Sequence, residues 1–152
     1  MIQRIQSVFL FVSLCFLAPM FFVPAAELVY ISGEILRFDF IGFYITDLGA
    51  TTRLSVQYSI LLFAILICAL NFCIIFLYKS RILQMRLCIY NVVLLIGIAG
   101  VMLLVIHNVT DVQSVSHRLP LVFPVVSAIL HYLAFRAIRR DHFMVEALSR
   151  LR

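Results

Sequence analysis

Four long stretches of this chain carry no charged residue: 5–26, 54–78, 87–110 and 119–135. A helix rises about 1.5 Å per residue and needs roughly 20 apolar residues to cross a hydrocarbon layer about 30 Å thick, so each stretch has the length of about one crossing. Together they hold more than half of the 152 residues. The intervening segments 27–53, 79–86 and 111–118, with 136–152 at the C-terminal end, are too short for a separate folded domain. With 64% hydrophobic and 12% charged residues, against roughly 45–50% and about 25% in soluble domains, a soluble monomer is excluded. The expected fold is an all-α membrane protein, a single domain over 1–152. It comprises a four-helix transmembrane bundle, a small extracytoplasmic β-hairpin and a cytoplasmic amphipathic C-terminal helix. The spans are placed at about 5–23, 55–78, 87–106 and 119–136, the hairpin at about 28–45 and the tail at 137–152.

The cations orient this arrangement, because Lys and Arg stay on the cytoplasmic side of a membrane while acidic residues bias orientation weakly. Four spans place both termini on one face. That face carries Arg4, Lys79, Arg81, Arg86, Arg136, Arg139, Arg140, Arg150 and Arg152 against Asp141 and Glu146. The opposite face carries Arg37, Arg53 and Arg118 against Glu27, Glu34, Asp39, Asp47 and Asp111. Both termini are therefore expected in the cytoplasm. The net charge of +5 is then a topology signal, and no nucleic-acid partner is expected. The first apolar run is longer than the core of a signal peptide, about 7–15 residues, so it is expected to be retained, bent or ended near Pro19 and Pro24.

In the first outer segment Leu36, Phe38 and Phe40 alternate with Arg37 and Asp39, the period of a half-buried strand. Leu28–Ile31 forms a second apolar run, and Ser32, Gly33 and Glu34 supply turn chemistry between them. A hairpin follows, which either caps the outer helix ends or offers its open edge to a partner strand. Asp47–Arg53 reads as a polar, turn-rich lead into the second span.

Within the spans the polar residues mark the face turned away from lipid. Asn71, Asn91 and His131 come from three spans yet lie at similar depth, one to two helical turns from Tyr78, Arg86 and Arg136 respectively. They are expected to form one hydrogen-bonded cluster, a structural clasp or the lining of a small polar groove. No Asp or Glu lies in a span, which counts against proton-coupled transport. Gly97 and Gly100 in the third span are expected to allow close helix packing. Tyr58, Tyr78, Tyr90 and Tyr132 near the span ends suit the membrane interface. Cys15, Cys68, Cys73 and Cys88 fall in or beside the spans and read as apolar filler. His107, Asp111 and His117 lack any recognised metal spacing. Nucleophile, Walker and zinc-protease motifs are missing as well, so no enzyme activity, cofactor or metal is expected.

Beyond Arg136 the tail contains no helix breaker, and Met144, Ala147, Leu148 and Leu151 recur at helical spacing. Arg136, Arg139 and Arg140, with Lys79, Arg81 and Arg86, make a cationic inner surface suited to anionic lipid headgroups or to a membrane-protein partner. A homodimer is equally compatible.

The opening Met1-Ile2-Gln3-Arg4-Ile5-Gln6, the central Leu77-Tyr78-Lys79-Ser80-Arg81-Ile82-Leu83-Gln84-Met85-Arg86-Leu87-Cys88 with Asn91, and the tail from Ala137-Ile138-Arg139-Arg140-Asp141 to Ser149-Arg150-Leu151-Arg152 resemble the small membrane proteins of Bacteroidota grouped as domain of unknown function 4293. The resemblance runs the full length. It implies a four-pass protein of a bacterial inner membrane with no established activity, and brings no site residues with it. Two roles follow as expectations: a non-catalytic accessory or assembly subunit of a membrane complex, or a small lipid- or small-molecule-binding carrier using the polar groove.

Overall fold

A computed structural model describes residues 3–30, 34–47, 50–77, 80–110 and 112–150. There are four helices, α1 (Gln3–Leu17), α2 (Tyr58–Phe76), α3 (Arg81–His107) and α4 (Phe123–Arg150), with four strands between α1 and α2 and a fifth between α3 and α4. The strands are β1 (Ala26–Tyr30), β2 (Ile35–Phe38), β3 (Gly42–Asp47), β4 (Ala50–Val56) and β5 (Val112–His117). α4 packs against α1 and α3, and α2 against α3 and α1.

Three segments, Tyr58–Phe76, Arg81–His107 and Leu119–Val145, are long and apolar enough to cross a membrane, while the apolar helix Gln6–Phe21 is shorter. Because the charge-free parts of these helices are apolar all round, their buried faces are told apart by spacing. Buried residues recur at alternating intervals of 4 and 3: Gln6, Leu10, Ser13 and Leu17 on α1; Ile60, Ala64, Ile67, Asn71 and Ile74 on α2; Gln84, Cys88, Asn91, Leu95, Ile98 and Met102 on α3; Ser127, His131, Ala134 and Ile138 on α4. That is the heptad seam of helices packed at shallow crossing angles.

The boundaries move from those expected. Pro19 turns the end of the first apolar run into a 3-10 turn at Ala18–Phe21, which ends before Val23. The second helix starts at Tyr58 rather than 55, because Ser55 and Val56 belong to β4. The third starts at Arg81, so Arg81 and Arg86 ride on a helix extending beyond its charge-free stretch. The fourth begins at Phe123 after a 3-10 turn containing Pro120, and runs unbroken through the expected tail to Arg150. Met144 is partly exposed; the side chains of Ala147 and Leu148, and Leu151 itself, lie outside the described residues.

The expected hairpin is larger than read. Among the described residues the strands form one antiparallel sheet in the order β4-β3-β2-β1-β5, which adds β3 and β4 and recruits β5 from the segment between α3 and α4. Ser32, Gly33 and Gly49 lie outside the described residues. One face carries Ala26, Leu28, Leu36, Phe38 and Phe43, all buried in a core shared with Leu17, Met20, Ile60, Leu95 and Met102 of the helical part. Two bulges explain why the outer strands escaped a search for period 2. Tyr30 pairs Val112 and Val29 pairs Ser114, so Gln113 is the extra residue that lets Val112 and Val115 oppose residues on one face. Phe43 pairs Ser55 and Tyr44 pairs Arg53, leaving Leu54 as the extra residue on β4.

A tight turn joins β2 to β3. Asp39 Oδ1 accepts from the backbone N–H of Ile41 and of Gly42, both at 2.8 Å. Gly42 has φ of 148°, and a Cβ there would overlap the carbonyl oxygen of Ser55, so only glycine fits. Gly97 and Gly100 behave otherwise. A Cβ at either would meet nothing within 4 Å, so they do not mediate the close packing expected of them; they lie on open parts of α3.

Candidate functional site

The three polar residues singled out in the spans do meet. Asn71, Asn91 and His131 have no exposed surface, and neither do Ser13 and Ser127. Asn91 Nδ2 lies 2.8 Å from His131 Nε2. His131 Nδ1 lies 2.9 Å from the carbonyl oxygen of Ser127, one turn earlier on α4, and 3.1 Å from Ser13 Oγ. A carbonyl oxygen only accepts, so the imidazole proton sits on Nδ1 and is shared with Ser13 Oγ; Nε2 then accepts from the Asn91 amide. Asn71 Nδ2 donates to Ser13 Oγ at 3.5 Å, and Ser127 Oγ donates to the Ser13 carbonyl at 3.4 Å.

Each helix thus contributes to one polar layer, and apolar residues close it on both sides. Toward the sheet lie Leu17, Ile67, Leu95 and Ala128. Away from it lie Leu10, Ile74, Cys88, Ala134 and Ile138. Ser13 and Ser127 were not picked out from the sequence, because Ser is common in apolar helices; their heptad positions relative to Leu10, Leu17 and His131 are the signal that finds them. Among the described residues the amide oxygens of Asn71 and Asn91 have no hydrogen-bond partner. An apolar cavity of about 10 Å³, lined among others by Leu17, Met20, Phe40, Ile67 and Leu95, lies on the sheet side and has the size of one water. The side chains of the layer bond chiefly to one another across the helices, an arrangement suited to joining them.

The cationic residues separate into three groups. Arg136, Arg139 and Arg140 line one open groove on α4 with Tyr132, Phe135 and Phe143, and the Arg139 guanidinium lies 5.6 Å from the Phe143 ring centroid. Arg81 instead pairs with Asp141 at 3.2 Å, tying the start of α3 to α4. Arg86 is exposed on α3. Lys79 and Tyr78 lie outside the described residues, whereas Tyr58, Tyr90 and Tyr132 are exposed on α2, α3 and α4. Cys88 and Cys68 are at least partly buried, but Cys15 and Cys73 are exposed, so they do not fill the core.

On the sheet, Glu27 of β1 ties three strands together. Its carboxylate accepts from Arg37 Nε of β2 at 2.9 Å and from Arg118 Nη2 just beyond β5. The Arg118 hydrogen bond, then that of Arg37, holds the Glu27 carboxyl below its ordinary pKa against the opposing effect of burial. Asp39 pairs with Arg53 of β4 at 3.6 Å, and Arg53 lies 6.0 Å from the Tyr44 ring centroid. Burial and the nearby Asp39 raise the Tyr44 pKa. His107 and His117 line a groove of about 500 Å³ beneath β5 with Leu103, Ile106, Val109 and Val115; Asp111 lies outside the described residues, and among those described no group of three metal-ligating side chains occurs.

The family model described as domain of unknown function (DUF4293) matches residues 2–151. The chain belongs to the DUF4293 family. This match covers every element described above and bears out the resemblance read from the three separated sequence motifs. No curated protein matches the chain. The DUF4293 assignment therefore brings no activity, and function has to be argued from the polar layer, the sheet and the arginine groove.

Proposed function

We propose that this DUF4293 protein is a four-pass protein of a bacterial inner membrane with both termini in the cytoplasm, acting as a non-catalytic accessory or assembly subunit of a larger membrane complex. α1 contributes 15 residues and the 3-10 turn 4 more; at about 1.5 and 2.0 Å per residue these reach roughly 30 Å, enough for the first crossing. Acidic residues lie mainly at the sheet end and arginines at the other, consistent with a cytoplasmic location for the helix ends away from the sheet.

The observation that carries the reading is the sheet. Its two edge strands, β4 and β5, are exposed over Thr51–Ser55 and Gln113–His117, while its buried face fixes it to the helices and the Glu27 ion pairs hold β1, β2 and the end of β5 together. A rigid sheet with open edges is a template for an extended segment of a partner protein. The carrier reading rests on less: the amide oxygens of Asn71 and Asn91, which have no partner among the described residues, are the acceptors that a ligand in the layer would use.

Photo-reactive residues placed at Thr52 and Ser114, irradiated in native membranes before extraction and mass spectrometry, test this. One partner cross-linked at either edge in stoichiometric amount is the expected result. A chain that cross-links to nothing, and purifies with a specific small molecule, would replace the subunit reading by the carrier.

A further inference from the structure

From the α4 groove we infer a specific binding site for one anionic glycerophospholipid, with its phosphate on Arg136, Arg139 and Arg140. The inference rests on the membrane-spanning reading above. The groove is open, about 550 Å³ in volume, and is lined by the three arginines together with Tyr132, Phe135 and Phe143. These six residues recur on one face of a single helix, so their geometry is set by α4 alone. All three arginines are exposed. Among the described residues no carboxylate lines the groove, and Asp141, the acid next to Arg140, is engaged by Arg81 of α3. The guanidinium cluster therefore presents forked donors matched to phosphate oxygens.

The order of residues along the helix selects a lipid over an acidic protein segment. Val125, Ile129 and Tyr132 form an exposed track that leads into the arginines, at the depth where acyl chains lie if α4 crosses the membrane. Arg136, Arg139 and Arg140 come next, and Phe143, about half exposed, lies beyond them. Tyr132 to Phe143 rises roughly 16 Å, which runs from the upper acyl region through the headgroups. A molecule with an apolar end and an anionic end, in that order, complements this track. Three cations favour a headgroup of net negative charge over a zwitterionic one.

The test titrates detergent-solubilised protein with phosphatidylglycerol or phosphatidylcholine and counts bound lipids by native mass spectrometry. It compares the wild type with Arg139→Gln/Arg140→Gln and with Arg53→Gln, which removes an exposed cation of β4 outside the groove. One phosphatidylglycerol should be retained in preference to phosphatidylcholine. Loss of affinity should be about fivefold for each groove arginine removed, hence roughly 25-fold for the pair, with Arg53→Gln close to wild type. Equal binding of the two lipids by the wild type would overturn the site without recourse to any variant. So would an Arg53→Gln effect as large as that of Arg139→Gln/Arg140→Gln, or displacement of the lipid by a polyglutamate peptide. Alkaline carbonate extraction of membranes separates the two readings: release of the protein would refute membrane integration and this site together, whereas retention with no lipid preference would refute the site alone.

Discussion

The polar layer makes a graded energetic prediction. The Asn91–His131 contact is short, 2.8 Å, and both residues have no exposed surface, whereas Asn71 reaches Ser13 Oγ only at 3.5 Å. Interhelical hydrogen bonds in membrane proteins average about 0.6 kcal/mol, with a maximum near about 1.7 kcal/mol. A double-mutant cycle with Asn91→Ala and His131→Ala should therefore give a coupling of about 1 to 1.7 kcal/mol. The corresponding cycle with Ser13→Ala and Asn71→Ala should give less than about 0.5 kcal/mol, since hydrogen bonds weaken steeply at the long end of their range. The single substitutions will each include a cavity contribution, and the cycle cancels it when the two cavities do not merge. Reversible unfolding in bicelles by steric trapping measures all four variants of each cycle under one condition. Simple additivity at Asn91 and His131, or a larger coupling at Ser13 and Asn71, would refute the assignment of the imidazole acceptor to the Asn91 amide.

Three further outcomes are expected. Because Glu27 has a lowered pKa in the fold, its ion pairs stabilise fully above the unfolded value of about 4.5 and lose that contribution as pH falls through the lower folded value. Melting of the wild type in micelles should decline over that acid range, and Glu27→Gln should flatten that part of the decline at a neutral-pH cost of about 1 kcal/mol or less, since Arg37 and Arg118 are partly exposed. Gly42→Ala, which needs φ of 148° and meets the Ser55 carbonyl, should cost more than about 1 kcal/mol and lower the yield of folded protein; wild-type melting behaviour would contradict the turn geometry. A fluorescent protein fused after Arg152 should mature, and an exported phosphatase at the same point should stay inactive; the reverse pattern would invert the proposed topology.

How much of this was legible in the chain differs by layer. Charge-free length located the four helices, since exposed and buried positions alike are apolar there. It misplaced their ends, because Ser55 and Val56 suit a strand as well as a helix start, and Arg81 and Arg86 continue a helix that charge alone would have ended. The convergence of Asn71, Asn91 and His131 could be read from their depths relative to Tyr78, Arg86 and Arg136. Their contacts with Ser13 could not, since a serine can satisfy itself on its own helix and so marks no face. A hairpin of the Leu28 and Leu36 runs could be read from alternation and turn residues, though not its register, and β3, β4 and β5 could not: apolar residues on both faces hide the period in Phe43-Tyr44-Ile45, and bulges at Leu54 and Gln113 shift it in the others. Joining β5 to β1 is a tertiary choice between segments separated by two whole helices, with no local signal at all. The aromatic and arginine spacing on α4 was visible, but the diversion of Arg81 to Asp141 was not.

The closing position of α4 has a consequence for how the chain matures. His131 and Ser127 complete the polar layer against Ser13 and Asn91, and β5, the segment just before α4, covers the edge of β1. A chain interrupted after α3 would leave Ser13 and Asn91 without His131, and would leave one edge of β1 without a partner strand, its other edge still held by β2. Both defects are repaired by one late stretch of sequence. Helix α4 and the strand before it thus act as a latch that closes the polar layer and the sheet edge together.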